Sequence, residues 1–166
     1  LGRALRDFYL AAPDEVGLGL VYLTGPPEEF IPPEWQGKLL VGIAGCWNGR
    51  LDVAERELRP LLRGVEPIAD LFGPIPYVEL QKLIDDPPGM RNWWTADYLT
   101  DLNDATVDAF CAYSEEMPLG LSQSILFPWG GQVSRADRDT SPIAHRETAW
   151  VTHPFAVSED SAQDAQ

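Results

Sequence analysis

Apolar residues recur along this chain with two periods, and the switches between them mark out the expected elements. Leu1, Leu5, Phe8 and Ala12 share a helical stripe that Pro13 ends. "GLGLVYLT" (17–24) then alternates as a strand, with Leu18, Leu20 and Tyr22 on one side. The Pro-rich "GPPEEFIPPEW" (25–35) reads as a connecting loop. "KLLVGIAGCW" (38–47) is apolar almost throughout, the pattern of a central strand covered on both faces. Asn48 is the expected cap of a following helix, whose Leu51, Ala54, Leu58 and Leu61 recur at helical spacing.

"VEPIADLF" (65–72) reads as a strand that Pro67 confines to an edge or a bulge. "PYVELQKLIDD" (76–86) starts with Pro at a helix-initiating position and puts Tyr77, Leu80 and Ile84 on one face. "RNWWTADYL" (91–99) is short, aromatic and strand-like. The strongest helix pattern covers 100–117, with Leu102, Thr106, Ala109, Phe110, Tyr113 and Met117 on one stripe and Thr100 or Asp101 as its cap. Strands at 122–129, 131–137 and 148–157 follow. Strands adjacent at the start and clustered at the end predict an α+β fold, an antiparallel β-sheet with helices packed on one face. Residues 1–157 are expected to form one domain and 158–166 a disordered acidic tail.

Charge narrows the partners. With 12 basic against 26 acidic residues the net charge is −14, which argues against nucleic acid and against an anionic membrane surface. No apolar run approaches the roughly 20 residues that span a bilayer. Cys46 and Cys111 sit in apolar contexts and read as buried free thiols, although their spacing alone leaves a disulfide open. The chain opens at Leu1, inside a helical stripe, so a piece excised from a longer protein is expected.

The usual catalytic signatures are missing: no G-x-S-x-G elbow, phosphate-binding loop or H-E-x-x-H occurs. His145 and His153 have no second ligand at metal-site spacing, so no metal is expected. Gly130-Gly131 marks a backbone that bends or is closely approached, either a β-corner or one wall of a ligand site. Arg135 and Arg146 are expected to pair with carboxylates. Trp93 and Trp94 are adjacent, so a strand would send them to opposite faces, one into the core and the other as a flat apolar wall. Tyr77 and Gln81 lie one helical turn apart and can present a hydroxyl and an amide together.

Three stretches taken in order carry a resemblance. They are "RDFYLAAPDEVGLGLVY", then "FGPIPYVELQKLIDD" with "PPGMRNWWTADYLTDL", then "GGQVSRADRDTSPIAHRETAW". Together they resemble the berberine-bridge-enzyme-like branch of FAD-linked oxidases, which shares the p-cresol methylhydroxylase type of FAD-binding fold. The likeness covers only the substrate domain of such enzymes. It implies a parent protein that oxidises a substrate hydroxyl or C–H centre by hydride transfer to FAD. The FAD would be held by a companion FAD-binding domain of the same protein, since the flavin-attaching His and Cys segments are not in this chain. The small-molecule substrate would lie against Gln81, Trp93, Trp94, Gln123 and Ser124. Two departures stand out: Thr95 replaces a Lys common after the paired aromatics, and the 122–129 strand lacks the acidic base some members carry there. No catalytic base is therefore assigned. The other reading is a stand-alone α+β module that binds a ligand or forms a homodimer through exposed sheet surface.

Overall fold

The computed structural model describes residues 1–83 and 88–163. Its elements are α1 (Gly2–Ala11), β1 (Val16–Thr24), β2 (Leu39–Trp47), α2 (Leu51–Leu58), α3 (Tyr77–Lys82), β3 (Arg91–Trp94), β4 (Asp97–Leu99), α4 (Asp104–Ser114), β5 (Gln123–Pro128), α5 (Gln132–Arg135) and β6 (Trp150–Ser158). All strands pair antiparallel in one sheet of order β2-β1-β5-β6-β3, with β4 also on β6. This is the expected α+β arrangement.

The register separates the two faces of the sheet. Leu18, Leu20 and Tyr22 of β1, Leu126 of β5 and Trp150 of β6 point one way. They form the buried core with Leu5 of α1, Leu61, Leu102 and Val107 of α4. α1 and α4 approach closely there: a Cβ on Gly2 would come within 2.9 Å of Val107 and 3.4 Å of Leu20, so no larger residue fits without displacement. Tyr9 meets Trp150 edge to face, and Tyr22 meets Phe110 likewise. Burial together with the contact to Cys111 pushes the Tyr22 phenol well above its ordinary pKa, in keeping with its place in this core.

Arg6 ties the two helices together. Its Nη1 donates to the Leu102 carbonyl at 3.2 Å and to Asp104 Oδ1 at 2.7 Å, and the Arg6 hydrogen bond lowers the Asp104 carboxyl below its ordinary value. A carboxyl with a depressed folded-state pKa stabilises the fold above its unfolded value, near 4, and loses that contribution as pH falls through the lower one. Asp104→Asn is therefore expected to lower the urea midpoint at neutral pH. The difference from the parent chain should close in strong acid, and a gap of equal size at both pH values would contradict the linkage.

Several expectations change. The 38–47 run is an edge strand, β2, paired only with β1 and half-exposed. Its continuous apolar pattern arises because both faces of this sheet are apolar there, not because it has two neighbours. Residues 65–72 form no strand: they are mostly exposed, and Pro67 removes a ladder donor. Residues 131–137 contain the short α5, because Gly131 takes φ +58 and turns the chain out of the sheet. α4 is capped by Asn103, whose Oδ1 accepts from the Thr106 amide at 3.0 Å, not by Thr100 or Asp101. Its buried side carries Val107 and Ser114, while Tyr113 of the expected stripe is 78% exposed. Arg50, without a capping hydrogen bond, precedes α2 in place of Asn48. Cys46 is exposed, not buried, and Cys111 half-buried, and both are free thiols. Ile84 lies outside the described residues. Of the 158–166 tail, Ser158 closes β6, Ser161–Gln163 make a 3₁₀ turn, and 164–166 lie outside the described residues.

Candidate functional site

The core helices leave the second face of the sheet uncovered, although Val21, Val151 and Val157 on it are buried. The register sends Gln123, Ile125 and Phe127 of β5, Val151, His153, Phe155 and Val157 of β6, Asn92 and Trp94 of β3, and Tyr98 of β4 to that side. Beside them β1 and β2 present Gly17, Gly19, Val21, Leu23, Leu40, Gly42, Ala44 and Cys46. No strand of a chain with net charge −14 places Asp, Glu, Lys or Arg on this face. Charge is excluded from the one large surface that lacks helices, which is the chemistry of an apolar, planar binding wall.

The aromatic side chains on the face touch one another. Trp94 lies 5.5 Å from the His153 ring and 5.8 Å from Phe155, and His153 lies 5.5 Å from Phe155. Tyr98 stacks on His145 at 4.4 Å and meets Trp129 edge to face. The β1–β2 side is shallow by contrast, since a Cβ on Gly17 or Gly42 would meet nothing within 4 Å. The face is thus a ledge of small residues beside a raised aromatic wall.

One polar group on the wall has a defined state. His153 Nδ1 lies 2.7 Å from the Thr95 carbonyl oxygen. A carbonyl only accepts, so Nδ1 carries the proton, and in the neutral form of the ring the lone pair then lies on Nε2. Thr95 is available because the pairing of β6 breaks between β3 and β4, opposite Pro154, which has no amide hydrogen to donate. Among the described residues Nε2 has no hydrogen-bond partner, and it is not enclosed. His153 sits directly opposite Ile125 in the β5–β6 register.

The expected substrate residues divide between the faces. Trp94 and Gln123 are on the open face. Trp93 and Ser124 point to the helix side, where the Ser124 hydroxyl lies 2.7 Å from that of Ser114. Neither Trp is core: they are 63% and 60% exposed, because β3 is a short edge strand that no helix covers. Gln81 lies off the sheet, exposed on α3. On the helix side a cleft of about 1460 Å³ runs between α4 and β6, lined by Trp93, Phe110, Tyr113 and Met117 and also by Arg91 and Asp97. It exceeds the roughly 300–1,000 Å³ of a small-molecule pocket.

The 126–150 stretch frames one end of the wall. Gly130 packs under Tyr9, where a Cβ would lie 3.0 Å from the hydroxyl. Buried Arg146 donates to the Val133 carbonyl at 2.9 Å and to Ser141 at 2.5 Å, holding the loop, and among the described residues it pairs with no carboxylate. Arg135 does pair with one, Asp14 at 2.5 Å. His145 takes φ +58, a strained setting for a residue with a Cβ, and so reaches its stack with Tyr98. Sequence reasoning passed over His153; the signal available was its period-two alternation with Val151 and Phe155.

Nothing among these residues forms a cradle for a dinucleotide. Arg3, Arg6, Arg50, Arg56, Arg59 and Arg135 are each committed to a carboxylate. No group of His, Cys, Asp and Glu among the described residues is arranged to hold a metal.

The fold is similar to that of part of several solved proteins. Across 99% of this chain it matches a berberine-bridge-enzyme-like protein (number 28) from Arabidopsis thaliana, at 15% identity and a TM-score of 0.63. Berberine bridge enzyme from Eschscholzia californica matches over 98% at 14% identity (TM-score 0.61), and 6-hydroxy-D-nicotine oxidase from Arthrobacter nicotinovorans over 97% at 18% (TM-score 0.63). The chain spans about a third of each, 36%, 34% and 34% respectively. At these identities the likeness is one of fold. No family model and no curated protein matches the sequence.

Proposed function

We propose that this chain is the substrate-side domain of an FAD-linked oxidoreductase, its open sheet face forming one wall of the reaction chamber. The observation that carries the reading is the uncharged aromatic face in a strongly acidic chain, on a fold that matches about a third of several oxidoreductases. The residues present suit the rim of a flavin chamber but not the grip on the cofactor, so a companion domain holds the FAD. When bound there, FAD accepts the hydride. This chain orients the substrate, excludes water from its apolar side and handles the proton. By itself it is colourless and inactive, and flavin absorbance in the purified chain would overturn that division of roles.

The substrate is a small planar molecule with an apolar body and few polar groups, matched to Trp94, Phe155 and the Gln123 amide. The test is amide and side-chain NMR of the labelled chain titrated with 2-naphthalenemethanol. Shifts are expected at Trp94, Gln123, His153 and Phe155. Shifts confined to Trp93, Tyr113 and Met117 would move the site to the helix-side cleft. The exposed, uncharged β2 edge favours a second reading, a stand-alone dimerisation module. Sedimentation as a dimer with no probe shift would support that one instead.

A further inference from the structure

We propose that His153 is the proton acceptor of the open face and selects substrates that carry a hydroxyl; this rests on the function proposed above. β5, the neighbouring strand, offers only Gln123, Ile125 and Phe127 to the face, and none of them can take a proton. His153 can, and its geometry fixes how. The Thr95 carbonyl holds Nδ1 in its protonated form at 2.7 Å, which leaves the basic lone pair on Nε2. Trp94 and Phe155 each pack against the ring at 5.5 Å and against one another at 5.8 Å. The lone pair therefore belongs to a restrained ring at the centre of the aromatic wall, where the apolar body of a ligand would lie beside it.

In the oxidation of an alcohol the balance is complete with this residue. The O–H bond breaks and its electron pair becomes the second C–O bond. The proton passes to Nε2, giving imidazolium, while the hydride on the same carbon leaves to the flavin of the companion domain. Thr95 acts as a positioning residue: its carbonyl sets the tautomer, and after transfer it accepts from the charged ring, which strengthens that hydrogen bond.

The experiment pairs 2-naphthalenemethanol with its methyl ether, which has the same apolar body and no O–H to donate. Their dissociation constants for the 166-residue chain are measured by NMR, and the histidine ¹⁵N signals are followed in the same samples. The alcohol is expected to bind about three- to tenfold more tightly, one neutral hydrogen bond's worth. His153→Phe should abolish that preference, bringing the alcohol and the ether to equal affinity. The free chain should show His153 protonated on Nδ1, with the Nε2 signal moving on addition of the alcohol alone. Equal binding of the two probes, a preference that survives His153→Phe, or an Nε2–H tautomer overturns the assignment while the aromatic wall stands. Failure of both probes to bind removes the wall as a site and this assignment with it. Should His153→Phe not fold, the tautomer and the probe preference of the unaltered chain still decide.

Discussion

Leu126→Glu is expected to prevent this chain from folding, whereas Ile125→Glu, one residue earlier, should leave it folded. Leu126 is fully buried opposite Leu20 of β1, within the cluster that α1 and α4 cover. A carboxylate there has no cation or donor to meet. The cost of burying it is several kcal/mol, comparable with the roughly 5–15 kcal/mol that holds a domain together. Ile125 faces the open side across from His153 and reaches solvent, so the same change should cost about 1 kcal/mol. Far-UV circular dichroism with thermal melts reads both variants. Two folded proteins, or two unfolded ones, would mean that the faces of β5 are not divided as described. Ile125→Glu should also weaken naphthalene binding, because it would put the first charge on the wall.

Most of the sheet was legible because its inner strands obey period two under a one-sided helical cover. β1, β5 and β6 alternate a core residue with an outward one, and each was expected within two residues of its observed ends. The edge was harder to read. "KLLVGIAGCW" has apolar residues on both faces, a pattern that cannot tell a covered strand from one whose outer face belongs to an apolar wall. The short α5 reads as a strand in the sequence because only a backbone angle, φ +58 at Gly131, turns the chain away, and two adjacent glycines do not say which way they bend.

The site was half legible for the same reason. Adjacent Trp93 and Trp94 had to point oppositely, and they do, but which one met the wall depended on pairing across β6. Gln123 and Ser124 formed the same ambiguity on β5, and the register placed the first on the wall and the second against Ser114. Alternation with Val151 and Phe155 puts His153 on the wall, but its tautomer is not legible locally, since its partner is a carbonyl 58 residues away. The stretch 126–150 works as support: Arg146, Gly131 and His145 fix the loop beside the wall, and His145 contributes a stacked ring to it.

Removing the aromatic wall should remove binding without removing the fold, and the comparison separates the two concave surfaces of the molecule. Trp94 is 60% exposed at the end of an edge strand, so Trp94→Ala sacrifices little core packing. It does remove the ring that flanks both His153 and Phe155. Loss of one stacked indole should weaken 2-naphthalenemethanol about tenfold, and Trp94→Ala with Phe155→Ala about fiftyfold, because the ledge of Gly17, Gly42 and Ala44 offers no replacement surface. Tyr113→Ala is the control: it deletes a still more exposed ring from the helix-side cleft, where the sheet's other face is presented. Its affinity should equal that of the parent chain, measured by the same NMR titration. A loss at Tyr113 with none at Trp94 would place the ligand between α4 and β6. The open face would then be an interface, and its lack of charge would serve packing against another domain instead of recognition of a substrate.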